Sequence, residues 1–191
     1  MILAEQLRKL ERKHSKDMVS LPRVQSKLDA GKHPPMNRGA DKMHPQGMNY
    51  SEPYAEFLEG VAPARLVELG VFTGVSMAVW LDAYPEAEVI GLDVDLKRVN
   101  WKLFPGRKPA LFEWDAFAPE PFDLLNDVDV FIDDGPHVTE AVVKVAEFMA
   151  PRMKAGGRYI VEDMANGGDI LRAVFPGLPV VQRGQISCVF L

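Results

Sequence analysis

The feature that most constrains this chain is the stretch between Arg65 and Asp95. Two short apolar runs open and close the stretch, and the second of them is Val89–Leu92. Between them, residues 75–80 have the apolar spacing of a helix, and Gly70 and Gly74 bracket the turn before it. This pattern predicts a strand, a tight glycine turn, a helix and a second strand, which is one βαβ unit. A ligand should then bind at the carboxyl ends of its strands.

The glycine turn also predicts the kind of ligand. A dinucleotide fingerprint has three glycines in the pattern G-x-G-x-x-G, but here Phe72 stands in place of the middle glycine between Gly70 and Gly74. Glu68 would repel a diphosphate at close range and would attract an ammonium group. Asp93 ends the second strand, where an acid can accept hydrogen bonds from ribose hydroxyls. An amino acid joined to a nucleoside without phosphate satisfies both acids, which predicts S-adenosylmethionine.

The rest of the chain continues the alternation of strands and helices. We predict a short helix at 96–102, further strands at 110–114, 128–132 and 158–161, and Gly156-Gly157 as the stop signal after a helix. A last helix follows Asp169, which is predicted as its N-cap. Strands at 178–182 and 186–191 are joined so tightly that only antiparallel pairing is possible. These elements predict an α/β fold with a doubly wound, mostly parallel sheet of seven strands and an antiparallel C-terminal hairpin.

Several sequence blocks resemble a known family. VELGVFTGVS and GLDVD are similar to the first two motifs of class I S-adenosylmethionine-dependent methyltransferases. RGADKMHPQGMNYSEPYAEF, IDDGPH and GGRYIVEDM resemble the macrocin and mycinamicin sugar O-methyltransferases and their cephalosporin-hydroxylase-like relatives, over roughly residues 38–165. The resemblance implies a Rossmann-like sheet with the strand order 3-2-1-4-5-7-6.

The resemblance also implies which residues contact the cofactor. We expect the methionine ammonium, the ribose and the adenine amino group as partners of Glu68, Asp93 and Asp115. The full predicted cofactor set is Glu68, Gly70, Phe72, Thr73, Gly74, Ser76, Asp93, Asp115, Ala116 and Asp133.

A second group of acids ends the fourth and fifth strands: Asp133, Asp134, Glu162 and Asp163. These strands are neighbours in the implied order, and converging carboxylates repel one another unless a cation offsets them. Hard oxygen ligands suit Mg²⁺, and the resemblance implies a metal that holds a diol and acidifies the attacking hydroxyl. Helix capping and loop hydrogen bonds are the alternative. We assign catalytic roles to His137 and Asp133, with His137 as a base or, alternatively, a helix cap.

The amino-terminal residues 1–48 differ from the remainder in charge. They carry a net charge of +5, whereas residues 49–191 carry −10. We predict an amphipathic helix and a basic lid or arm in 1–48, and the S-adenosylmethionine-binding domain in 49–191. Four residues in or beside the loop are candidates for substrate or lid contacts, with His44 as a competing base; they are Arg38, Lys42, His44 and Tyr50. A flexible arm or a dimer contact is the alternative reading of this region.

Composition limits the classes of partner. An acidic body argues against nucleic acid as the main substrate, since phosphate binding requires a basic surface. The single cysteine, Cys188, suits a reducing compartment, and no apolar segment has the length of a membrane span. We therefore expect a cytoplasmic protein without a membrane partner. The larger sugar methyltransferases carry additional segments around the acceptor pocket, so the acceptor is small, or the amino-terminal arm or a second subunit completes the site, which makes a homo-oligomer possible.

Together these observations predict a methyltransferase that uses S-adenosylmethionine and Mg²⁺ to methylate a hydroxyl of a sugar or polyhydroxylated natural product. Metal-independent methylation of nitrogen, carbon or a carboxylate is an alternative in the same fold. A non-catalytic, S-adenosylmethionine-binding partner subunit is another. A nucleotide-binding oxidoreductase is disfavoured by the missing middle glycine and by Glu68.

Overall fold

The fold is built around one seven-stranded sheet, seen in a computed structural model that describes residues 2–15, 42–43 and 48–191. Its order is β3-β2-β1-β4-β5-β7-β6, which confirms the predicted doubly wound sheet and its strand order. The strands are β1 (Arg65–Leu69), β2 (Glu88–Asp93), β3 (Ala110–Glu113), β4 (Val128–Asp133), β5 (Met153–Val161), β6 (Val180–Arg183) and β7 (Ile186–Phe190). Strands β1 to β5 pair in parallel, and β7 pairs antiparallel with both β5 and β6.

Helices cover both faces of the sheet. They are α1 (Ala4–Ser15), α2 (Ser51–Phe57), α3 (Val75–Ala83), α4 (Thr139–Met149) and α5 (Gly167–Val174). Helices α1 to α3 contribute to one hydrophobic core and α4 and α5 to the other. The central strands are apolar along their length because both of their faces are covered; Val130, Phe131 and Ile132 of β4 are completely buried. No helix among the described residues is long and apolar enough to cross a lipid bilayer.

Helix α1 is part of the folded body. Helix α3 buries residues around its whole circumference, so it requires cover on the side that faces away from the sheet. Helix α1 packs on α3 and buries Leu7 completely. Polar contacts tie the two helices together, because Lys13 Nζ and His14 Nε2 lie 2.6 and 2.8 Å from Asp82 Oδ2.

Local elements differ from the sequence prediction in three places. Asp169 lies in the first turn of α5 and is not its N-cap, because the helix begins two residues earlier, after Asn166. Gly156 and Gly157 lie inside β5, which starts at Met153, before the predicted start of this strand; Gly156 takes a positive φ of 82° there. The predicted helix at 96–102 is two short 3₁₀ turns, since the side chains of Asp95 and Asn100 accept backbone hydrogen bonds that start each turn anew.

Candidate active site

The carboxyl ends of β1 to β4 open into a cleft of about 660 Å³. Seven of the ten predicted cofactor residues line it, namely Gly70, Phe72, Thr73, Ser76, Asp93, Asp115 and Ala116. Glu68, Gly74 and Asp133 do not line the cleft. Instead, these three residues contact residues that line the cleft, through their side chains or their backbone.

The glycine turn after β1 is fixed by contacts with the ends of β2 and β4. Gly70 has a φ of +97°, and a Cβ atom at this position would lie 2.0 Å from the carbonyl oxygen of Asp134, so only glycine fits. Asp93 Oδ2 accepts hydrogen bonds from the backbone amides of Val71 and Phe72, each at 2.9 Å. Asp93 therefore holds the turn in place as well as facing the cleft.

Thr73 is an unsatisfied polar group in the wall of the cleft. The residue is buried, and its hydroxyl has no hydrogen-bond partner among the described residues. Buried hydroxyls in native proteins are normally paired, so an unpaired one beside a cleft indicates a ligand or water partner. The opposite wall is less polar, with buried Trp114 and Ala116 next to exposed Phe117.

Lys42 lies at the centre of the acidic residues. Its Nζ is 2.7 Å from Glu68 Oε1, 3.0 Å from Asp134 Oδ2 and 3.2 Å from Glu162 Oε2. Burial disfavours the charged ammonium, but attraction to these three carboxylates outweighs that effect and raises the pKa of Lys42 well above its usual value. Lys42 is therefore a buried cation that borders the cleft, and its ammonium contacts these acids.

Glu68 and Glu162 are satisfied from within the protein. The second oxygen of Glu68 accepts a 2.6 Å hydrogen bond from Trp80 Nε1, and that of Glu162 accepts one from the hydroxyl of Tyr54. Both carboxylates are almost completely buried. Burial raises the pKa of Glu162, while the Lys42 ammonium opposes the rise.

Asp134 and His137 line the cleft, and Asp163 lies beside them. His137 Nε2 lies 3.8 Å from Asp134 Oδ1 and 3.8 Å from Asp163 Oδ2. One ligand atom from each of the three residues lies within 4.8 Å of the others, a spacing that a divalent cation can bridge. Tyr50 donates a 2.5 Å hydrogen bond to the other oxygen of Asp163. His137 and Asp163 have φ values of +52° and +55°, a strained conformation that is enriched at functional sites.

Asp133 lies apart from this group. Its Oδ2 accepts a 3.0 Å hydrogen bond from the hydroxyl of Tyr159 and its Oδ1 accepts one from the amide of Gly135. Burial raises the pKa of Asp133 to about 6. The adjacent Asp134 also has a pKa raised to about 6 by burial, against the opposing effect of Lys42.

Comparisons with curated proteins find similarity to O-methyltransferases. No protein family model matches the chain. A tetracenomycin-C rhamnosyl 2'-O-methyltransferase from Streptomyces olivaceus is 27% identical over 144 residues, which are 68% of this chain and 36% of that protein. The mycinamicin VI 2''-O-methyltransferase of Micromonospora griseorubida is 26% identical over 113 residues, or 52% of this chain and 27% of that protein. The chain thus spans about a third of the length of the curated relatives it matches.

Solved structures decide the fold. MycE methyltransferase from the mycinamycin biosynthetic pathway, in complex with Mg and SAH, superposes with a TM-score of 0.65 at 16% identity, covering 97% of this chain and 54% of that chain. TrmN from Thermus thermophilus superposes with a TM-score of 0.54 at 18% identity, covering 72% and 46%. This chain has the class I methyltransferase fold. The resemblance seen in the sequence motifs is confirmed.

The amino-terminal segment reaches the cleft of this methyltransferase fold. Met43 is buried, and its amide donates a 2.9 Å hydrogen bond to Glu11 Oε1 of α1, while the carbonyl of Lys42 accepts one of 2.8 Å from the amide of Tyr50. Of the predicted substrate and lid residues, the structure thus brings Lys42 and Tyr50 to the acids. Arg38 and His44 lie outside the described residues.

Three site residues were missed in the sequence. Tyr54 and Trp80 read as ordinary apolar positions of α2 and α3, and their polar atoms find Glu162 and Glu68 only through tertiary packing. Glu11 has no sequence signal at all. Of the three, only Tyr54 had a signal in the sequence, because it falls inside the SEPYAEF block that resembles the sugar methyltransferases.

Proposed function

We propose that this protein is an S-adenosylmethionine-dependent methyltransferase that methylates a hydroxyl of a sugar or polyhydroxylated natural product with assistance from Mg²⁺. The observation that supports it best is a cleft that joins the glycine turn and Asp93 to Asp134 and His137, with Asp163 beside them. The curated relatives are named as sugar O-methyltransferases, and MycE was solved with Mg and SAH.

In this proposal the cofactor lies along the ends of β1 to β3. Asp93 would accept hydrogen bonds from the ribose hydroxyls through Oδ1, because Oδ2 already accepts two from the turn, whereas Oδ1 accepts one from the amide of Asp95. Asp115 and Ala116 would lie against the adenine. The unpaired hydroxyl of Thr73 would bind the methionine end of the cofactor. Glu68 would act through Lys42 and Trp80, because both of its oxygens already accept hydrogen bonds from them.

Asp134 and Asp163 would hold the metal, with Glu162 behind them. Their hard oxygen atoms suit Mg²⁺, which keeps several waters and accepts a substrate oxygen. Once bound, the ion would lower the pKa of a coordinated hydroxyl by Lewis-acid polarisation. Asp133 would support the strand end, since its oxygens bind Tyr159 and Gly135.

His137 would take the proton from the attacking hydroxyl. Its side chain is part-exposed at the mouth of the cleft, beside both acids. The hydroxyl oxygen would form a bond to the methyl carbon as the carbon–sulfur bond of the cofactor breaks, and the proton would pass to the imidazole. Such a displacement depends mainly on positioning, which the rigid strand ends can supply.

We also propose residues 1–48 as an arm that completes the cofactor domain of residues 49–191. Helix α1 and the Lys42–Met43 segment both contribute to the cleft. A small hydroxylated acceptor would enter on the His137 side.

Calorimetric titration of S-adenosylmethionine, with Mg²⁺ and after chelation, tests the proposal. We expect cofactor binding in both conditions, a separate Mg²⁺ heat that is lost in Asp134→Asn, and turnover of a glycosylated acceptor that is lost in His137→Ala. An absence of cofactor binding would contradict the proposal as a whole.

A second candidate is methyl transfer without a metal. The Lys42 ammonium already neutralises part of the acidic group, which favours this alternative. Turnover that is unaffected by chelation would select it.

A further inference from the structure

The ammonium of Lys42 contacts three carboxylates. A lysine ammonium has three N–H donors, and the Nζ of Lys42 lies 2.7 to 3.2 Å from one oxygen each of Glu68, Asp134 and Glu162. The side chain is only 13% exposed. The ammonium of Lys42 is therefore engaged by the protein's own carboxylates, although the residue borders the cleft.

These contacts divide the acidic residues around Lys42, together with His137, into an inner and an outer half. In the inner half, Glu68 and Glu162 are buried, and their remaining oxygens accept hydrogen bonds from Trp80 and Tyr54. The outer half consists of His137 and Asp163, which border the cleft or lie part-exposed beside it. Asp134 belongs to both halves, because its Oδ2 contacts Lys42 and its Oδ1 faces His137.

The position of the ammonium is fixed by the backbone on both sides of it. The carbonyl of Lys42 accepts a hydrogen bond from the amide of Tyr50, and the amide of Met43 donates one to Glu11. Met43 is itself 1% exposed within the core. The backbone at Lys42 is therefore held in place by packed residues, whereas the side chain of a surface lysine moves freely.

We propose that Lys42 is a positioning residue, the resident cation of the inner half, and that it confines a divalent ion to the outer half, where Asp134 and Asp163 would hold it. This inference rests on the proposed metal-assisted function. Buried carboxylates require compensating charge, and an ammonium supplies it at Glu68 and Glu162 without a second metal ion. The same positive charge repels a divalent ion that would bind deeper, so it limits both the number of ions and their affinity.

Mn²⁺ binding to the full chain, followed by calorimetry and by the loss of the free-ion electron paramagnetic resonance signal, tests this role. We expect the wild-type protein to bind one Mn²⁺. Lys42→Met should bind Mn²⁺ about tenfold more tightly, or bind a second ion, because it removes the repulsion and leaves the inner carboxylates uncompensated. Unchanged or weaker Mn²⁺ binding in this variant would overturn the proposal.

Lys13→Met is the matched control. Lys13 also contacts a carboxylate, that of Asp82 at 2.6 Å, but on the exposed face between α1 and α3. Its replacement changes the net charge of the protein by the same amount as Lys42→Met. We expect its Mn²⁺ affinity to equal that of the wild type. An equal increase of Mn²⁺ affinity in both variants would show that net charge alone causes the effect, and it would contradict a role for Lys42.

A charge-balanced pair keeps the test decisive if Lys42→Met does not fold. Glu68→Gln alone should bind Mn²⁺ at least about threefold more weakly, since it leaves the charge of the Lys42 ammonium less compensated. The double variant K42M/E68Q removes one charge of each sign and should bind Mn²⁺ within about threefold of the wild type. Equal Mn²⁺ affinity of Glu68→Gln and the wild type would overturn the proposal.

Titration of S-adenosylhomocysteine into the same samples separates this inference from the proposed function. A wild-type protein that does not bind S-adenosylhomocysteine would contradict the methyltransferase proposal. The comparison of Mn²⁺ binding between Lys42→Met and Lys13→Met would still decide the role of Lys42.

Discussion

The carbonyl oxygen of Asp134 lies 2.0 Å from the point that a Cβ atom on Gly70 would occupy. The turn after β1 and the end of β4 are therefore in direct backbone contact beneath the cleft. Gly70 also holds a φ of +97°, which side chains rarely allow.

Replacement of Gly70 by alanine should therefore disrupt both the fold and the cleft. We expect Gly70→Ala to lower the free energy of unfolding by about 3 kcal/mol or more, because either the strand ends separate or the backbone changes conformation. Gly106→Ala is the control, since no atom of the described residues, apart from its chain neighbours, lies within 4 Å of its added Cβ. Thermal unfolding and S-adenosylhomocysteine titration would check both, and similar behaviour of the two variants would contradict the close approach.

The hydroxyl of Tyr54 should contribute measurably to stability. It donates to the buried carboxylate of Glu162, so Tyr54→Phe leaves that oxygen without its donor and should cost about 1–3 kcal/mol. Tyr84→Phe is a matched control, because the Tyr84 hydroxyl has no partner in the described part of the chain. Urea unfolding curves of both variants give the comparison, and an equal loss in the two would show that the Tyr54 contact is not special.

Two adjacent aspartates should differ in their effect on metal binding. Asp134→Asn should weaken Mn²⁺ binding at least about tenfold, because Asp134 faces His137 and Asp163 across the candidate site. Asp133→Asn should leave Mn²⁺ binding unchanged, because the oxygens of Asp133 accept hydrogen bonds from Tyr159 and Gly135. Calorimetry distinguishes the outcomes, and a loss of binding in Asp133→Asn would place that residue among the ligands instead.

The contact between α1 and α3 should depend on pH through Asp82. Partial burial acts to raise its pKa, but hydrogen bonds from Lys13 and His14 outweigh this and lower the pKa below the usual value of 3.8. A lowered folded-state pKa means that the stabilisation is present above the unfolded-state pKa and is lost as the pH falls through the folded-state pKa.

Asp82→Asn should accordingly be less stable than the wild type at pH 5, by no more than about 1 kcal/mol because the pair is part-exposed. The difference should shrink toward pH 2. Asp169→Asn removes a more exposed pair with Arg172 and should have almost no effect at either pH. Denaturant unfolding at the two pH values measures the change, and a difference that grows toward acid would contradict the lowered pKa.

The sheet was predictable because its signals are local or repeated. The alternation of apolar runs and helical spacing predicted the seven strands, and the resemblance to the class I methyltransferases supplied their order. Asp169 was misassigned as an N-cap because it is only three residues from Asn166, and several residues in that loop can begin a helix.

The division of the acidic group was not predictable, because it depends on contacts between distant residues. A sequence pattern shows that Glu68, Asp134 and Glu162 end three strands, and it places Lys42 in a loop before them. It does not show that one ammonium reaches all three carboxylates. Side-chain direction after a strand end depends on turn geometry, such as the positive φ at Asp163, which no composition signal marks.

The hydrogen bonds of Tyr50 to Asp163 and of Tyr54 to Glu162 have a consequence for the order of folding. They join residues 113 and 108 positions apart in the chain. Contacts of such high sequence separation close large loops. The entropic cost of closing those loops is offset only after local elements have formed. A growing chain that has not yet completed β5 cannot close them, however well β1 to β4 are paired. The fluorescence of Trp80, whose ring packs edge-on against that of Tyr54, should therefore change late in refolding, after most of the helical signal has returned.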